Sequence, residues 1–170
     1  MNFYDALDTD SSRAVADLVT EGIDDNPVYF KEVLDLALHD IPKVSARAGR
    51  VVFLCTEKYP KLLDPYIHEI IRKIPTLKNR GTIRTVLKLV TLYPDLDDDN
   101  ELGILLECCF EYLNGKDYSI AEKVYGMEII FNISKQYPEI LNELIAVVKE
   151  QLPYASAGFK ARAKILLGIS

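Results

Sequence analysis

Ala48-Gly49-Arg50-Val51-Val52-Phe53-Leu54-Cys55-Thr56-Glu57-Lys58-Tyr59-Pro60 is the stretch whose reading decides the fold. Counted from Val44 just upstream, Ala48, Val51, Val52, Cys55 and Tyr59 step as i+4, i+7, i+8, i+11 and i+15. That is one stripe of a helix with 3.6 residues per turn, turned toward a core. Pro60 then acts twice: it cannot continue this helix, because it lacks an N–H, yet its fixed φ suits the first turn of another. Tyr59-Pro60 therefore reads as the corner between two antiparallel helices.

The same dipeptide recurs at Tyr93-Pro94 and Tyr137-Pro138. A shift of 78 positions lays Val51, Val52, Phe53 and Cys55 over Ile129, Ile130, Phe131 and Ile133, and carries Leu63, Ile67 and Pro75 onto Leu141, Ile145 and Pro153. A shift of 34 lays Arg50, Val52, Phe53 and Tyr59 over Arg84, Val86, Leu87 and Tyr93, a third copy of the first helix. Repeats of this kind outrank local signals, because each unit is one supersecondary element that stacks on its neighbours. The pattern predicts about nine helices, near 11–22, 27–39, 43–59, 61–73, 79–93, 100–113, 119–137, 139–152 and 157–168. Asn26-Pro27 supplies a cap and first helical position, and Asn114-Gly115 a stop. Nothing alternates apolar and polar over strand length, so the expected fold class is all-α.

Paired helices of this length, proline at the corner and small residues early in the first helix (Ala46-Arg47-Ala48, again Ala161-Arg162-Ala163) resemble the HEAT-like repeats of the armadillo and HEAT group. The resemblance covers roughly residues 27–170. The insertions Asp95–Asn100 and Asn114–Asp117 depart from it by lengthening the interval between Tyr93 and Tyr137. It implies a right-handed α/α superhelix of about four stacked helix pairs, one domain over residues 1–170 with 1–26 as an N-terminal capping segment. It also implies a concave wall lined by the second helices, near 61–73, 100–113 and 139–152, that holds a partner.

A chain of 170 residues, 49% hydrophobic and 27% charged, has ordinary globular composition and enough length for one sizeable core. No uncharged apolar run approaches the ~20 residues that cross a bilayer. Met1-Asn2-Phe3-Tyr4-Asp5 lacks the basic start of a secretory signal, so a cytoplasmic location and no membrane partner are the expectations. Cys55, Cys108 and Cys109 lie inside apolar helical patterns and are expected as buried reduced thiols; a zinc site would need different spacing or more histidine than His39 and His68. The net charge of −6 is banded. Residues 1–40 carry ten acidic and two basic residues, residues 41–90 eleven basic and three acidic, and the remainder seven basic and thirteen acidic.

The carboxylates of Asp95, Asp97, Asp99 and Glu101 alternate as in a calcium loop, but an EF-hand needs Gly and Glu where Asn100 and Leu106 stand. An acidic helix N-cap is the expectation there, and His39 reads as favourable charge at a helix end. Asp64, His68 and Arg72 step as i, i+4, i+8 along a predicted second helix. With Glu107 and Glu111 they are the candidate polar anchors for a protein or peptide. No phosphate loop, dinucleotide fingerprint, HExxH or GxSxG is present, so no catalytic residue, metal or cofactor is assigned. An enzymatic role would return if His68 lay in a closed pocket beside a nucleophile. Arg47, Arg50, Arg80 and Arg84 form a central basic band, which gives the alternative of a nucleic-acid-associated protein resembling HEAT-like DNA alkylation-repair proteins. Against that stand the acidic total and the absence of Trp. Self-association through acidic and basic bands is a further expectation.

Overall fold

A computed structural model describes residues 1–170: ten α-helices, four short 3-10 turns and no strand. The chain divides into two compact units, Met1–Leu89 and Val90–Ser170.

The first unit contains α1 (Phe3–Thr9), α2 (Arg13–Ile23), α3 (Pro27–Leu38), α4 (Val44–Lys58), α5 (Ile67–Lys73) and α6 (Arg80–Val90, whose last residue belongs to the second unit). Asn2, Ser12 and Asn26 cap the first three helices, each side-chain oxygen accepting from an N–H in the first turn. At the centre, α4 packs on α1, α2 and α3. Val44, Ala48, Val51, Val52 and Cys55, the stripe that fixed the helical period, are all buried there, and Tyr59 is half-buried. Gly49 lets α6 approach α4, since a Cβ at that position would stand 2.4 Å from Thr85 Oγ1 and 2.6 Å from its Cβ. The turn between α3 and α4 is held by buried Ser45, whose hydroxyl donates to Leu36 O at 2.6 Å and accepts from Ile41 N at 2.7 Å. In the same turn Asp40 has φ 57° and its carboxylate accepts from Lys78 N and Asn79 N ahead of α6.

The second unit contains α7 (Asp99–Asn114), α8 (Ile120–Ser134), α9 (Pro138–Gln151) and α10 (Ala157–Leu167). Here α8 is central, packing on α7, α9 and α10. Its entry is a capping box: the Ser119 hydroxyl accepts from Glu122 N, and the Glu122 carboxylate accepts from Ser119 N at 2.6 Å. Ile129, Ile130 and Ile133 are buried, as are their 78-residue counterparts Val51, Val52 and Cys55. Gly126, which stands where α4 has Ala48, brings α8 against α7; a Cβ there would lie 3.3 Å from Cys109 O.

Three expectations of the sequence are corrected. An extra helix, α1, occupies Phe3–Thr9, two turns being too short to display a period; Phe3 and Leu7 bury its one face. The helix expected over 61–73 is two 3-10 turns, Pro60–Leu62 and Asp64–Tyr66, followed by α5 alone. Pro65 lacks the N–H that an α-helix through this point would use. The second Tyr-Pro, Tyr93-Pro94, is not a corner: α6 ends at Val90, and after Pro94 the chain runs through the acidic insertion before α7 begins at Asp99.

Candidate interaction surfaces

The basic band is partly consumed by the fold. Arg47, on the first turn of α4, is half-buried, and its Nη1 donates to Leu7 O at 2.7 Å and Asp8 O at 2.9 Å. Those carbonyls close α1, where the last turn leaves acceptors unsatisfied and the dipole favours a cation. Arg50 Nη1 reaches Ser11 O at 3.4 Å, in the link to α2. Arg80 is half-buried at the start of α6, and Arg84 is exposed on it. Two of the four arginines thus tie the N-terminal helices down, and the band is not a uniform outward ladder.

Asp64, His68 and Arg72 are exposed in the first unit, and only His68 and Arg72 share α5; Asp64 falls in the 3-10 turn before it. Glu107 and Glu111 are exposed on α7 of the second unit, where Glu111 accepts from the Tyr118 hydroxyl at 3.0 Å. In the acidic insertion, Asp98 is the N-cap of α7 and accepts from Glu101 N at 3.0 Å, and Asp99 accepts from the Tyr137 hydroxyl. His39 is the C-cap of α3. Cys55, Cys108 and Cys109 are buried free thiols; burial pushes the Cys55 thiol up to about 11 and raises the other two as well.

Two open surface features lie in the second unit and fall on residues that the helical pattern did not single out. A groove of about 570 Å³ opens where α8 and α10 begin and α9 ends, lined by Lys116, Tyr118, Lys123, Gln151, Tyr154 and Phe159 among others. Lys123 is half-buried in its wall, and burial holds its ammonium below the ordinary lysine value. Its Nζ donates to Gln151 Oε1 at 3.1 Å, and Gln151 Nε2 in turn donates to Leu113 O at 2.8 Å, the end of α7. Beside it an apolar trough of about 430 Å³ runs between α8 and α10, walled by Ile120, Val124, Tyr125 and Ile165, with Gly158 and Ala161 as its floor. Ile120 lines both. Gly158 and Ala161 are the trough's small lining residues on α10, and a Cβ at Gly158 would stand 3.6 Å from Ile120 Cγ2.

These helices, paired and stacked about α4 and about α8, define an all-helical repeat protein. A family model described as a HEAT repeat domain matches residues 3–169, and the chain belongs to that family. Comparison with curated proteins gave no match, and comparison with solved structures gave none. No helix is long and apolar enough to cross a membrane.

Proposed function

We propose that this chain is a non-catalytic interaction scaffold that holds a protein or peptide partner, with the α8–α10 trough as a principal contact surface. The observation that carries the reading is the extent of the repeat: it occupies residues 3–169, so what the chain binds is bound by the surface of stacked helices. An apolar trough between two helices suits an amphipathic helix, which lays its i, i+3, i+4 and i+7 side chains into such a groove. Lys123 and the aromatic wall of the neighbouring groove supply polar and stacking anchors at one end of the trough. His68 and Arg72 on α5, with Asp64 before it, and Glu107 and Glu111 on α7 offer further polar anchors.

The engagement of Arg47 and Arg50 with internal carbonyls weighs against the nucleic-acid alternative. The test is a pair of titrations with the whole chain. Peptides selected from a displayed library are expected to bind and to lose at least ~10-fold in affinity, about 1.4 kcal/mol, on Ile165→Glu. Labelled DNA and RNA 20-mers are expected not to bind saturably. Saturable oligonucleotide binding that falls steeply between about 50 and 200 mM salt, with no peptide selected, would overturn the scaffold reading.

A further inference from the structure

The exposed large apolar side chains are concentrated on two surfaces of opposite charge. One lies on the N-terminal helices. Met1 sits over Gly22 of α2, with its Cε 3.4 Å from where a Cβ would be, and Leu18 is one turn earlier on the same helix. Phe3 lies beneath, 3.9 Å from the same point, and its ring meets Tyr29 of α3 edge-on at 5.7 Å. Leu18 is 53% exposed and Val28, next to Tyr29, 70%. Close to them in the chain, Asp5, Glu21 and Asp25 are exposed and outside any ion pair, within a stretch of forty residues carrying ten acidic and two basic groups. The other surface is the α8–α10 trough, where Ile120 is 51%, Ile165 73% and nearby Tyr154 92% exposed. Residues 151–170 contain no carboxylate side chain and three cations. Arg162 pairs with Glu128 at 3.5 Å, and Lys160 and Lys164 stand exposed. Exposed apolar groups that cluster, rather than scatter, mark interaction surfaces.

We infer that the trough, with Lys160 and Lys164 exposed on the same helix α10, receives the acidic Met1–Leu18–Val28–Tyr29 face of a second copy of this chain, a head-to-tail contact. The inference rests on the trough being a protein-binding surface and names its occupant. Apolar groups on both surfaces provide the buried centre, and Glu21, Asp5 and Asp25 against Lys160 and Lys164 set orientation at the rim. Such a contact is heterologous: each copy keeps one unused surface of each kind, so assembly continues beyond a dimer unless the rotation closes a ring.

Two variants that place a charge at the apolar centre of each surface test it, Leu18→Lys on the acidic face and Ile165→Glu at the trough; both positions are exposed, and circular dichroism is the control that each variant folds. Sedimentation of the wild-type chain from about 1 µM to about 1 mM is expected to show a mass that rises with concentration. The rise should be smaller at about 1 M salt than at about 0.1 M, where the screening length is ~10 Å. Each variant alone should sediment as one chain. An equimolar mixture should form a species of twice that mass and stop there, because the intact face of one variant meets the intact trough of the other. Wild-type chain that stays monomeric throughout overturns the inference, as does association that either variant leaves unchanged or variants whose mixture stays monomeric. If the chain is monomeric and selected peptides still require Ile165, this inference fails and the scaffold reading stands. If neither copies nor peptides use the trough, both fail.

Discussion

The two units are built about matching helices, and they spend their polar groups differently. In each, a helix that ends in Tyr-Pro carries the buried stripe, and the tyrosine hydroxyl donates to a carboxylate on an earlier element: Tyr59 to Asp24 after α2, Tyr137 to Asp99 at the start of α7. Beyond the corner they part. Pro138 opens the 14-residue α9 directly, whereas Pro60 and Pro65 break the first unit's equivalent into 3-10 turns before α5. The first unit also turns Arg47 inward to close α1, while the second leaves Lys160 and Lys164 in solvent beside an open trough. Sharing a core pattern therefore does not mean sharing a surface.

The largest effects should come from the stripe that the units share and from the buried side chains of the helices packed on it. Phe30→Ala, which empties a fully buried site against which α4 packs, should cost about 3–5 kcal/mol, and Ile130→Ala on α8 about 2–5 kcal/mol, both read by chemical denaturation. Costs below ~1 kcal/mol at either site would mean that the stripe is not the core. Gly49→Ala comes next, at about 1–3 kcal/mol, because its new methyl meets Thr85 Cβ, which no rotamer moves aside. Gly126→Ala should be milder, since its 3.3 Å neighbour needs to yield only by tenths of an ångström. Equal penalties at the two glycines would erase this difference between the units.

Arg47→Ala should cost about 1 kcal/mol, the value of a charge-assisted pair of hydrogen bonds discounted for partial exposure. Hydrogen exchange is the sharper reading: α1 should lose protection while α8 keeps it. Loss of protection throughout the chain would show Arg47 to be part of the core, not a clamp on one helix. The smallest effect belongs to the tyrosine corners. The Tyr59 hydroxyl, with Lys58, holds the Asp24 carboxyl below its usual 3.8. A carboxyl lowered in the folded state adds stability that is present above pH 3.8 and lost as pH falls through the folded value. Tyr59→Phe should therefore lower the melting temperature slightly at neutral pH and leave it unchanged in acid. Tyr137 is raised by Asp99, so its contribution should be present below pH 10.0 and fade as pH rises beyond it.

Helices that bury a long stripe were legible in the residues. From Val44 to Cys55 and from Ile129 to Ile133, side-chain spacing alone places the core, and proline and Asn or Ser caps place most ends. What escaped has physical causes. Helix α1 has too few turns to show a period. Pro65 reads locally as tolerable in a first turn, and only the backbone shows that two separate 3-10 turns result. The Tyr93-Pro94 corner was predicted from a dipeptide that the acidic insertion prevents from turning into a helix. Arg47 looks like any surface cation until α1 is in place to receive it. The trough has one sequence signal, the absence of carboxylates in residues 151–170 beside Ile165, but its walls come from two helices well separated in sequence and only packing joins them.

We propose that the exposed α8–α10 surface, not the arginine band, is where this helical repeat chain would meet a partner. It is tested most directly by measuring the affinity of trough-selected peptides for the wild-type chain, for Ile165→Glu and for Arg84→Ala. At least a ~10-fold loss on Ile165→Glu with no change on Arg84→Ala is the predicted result. Unchanged affinity on Ile165→Glu, or a loss confined to Arg84→Ala, would contradict it.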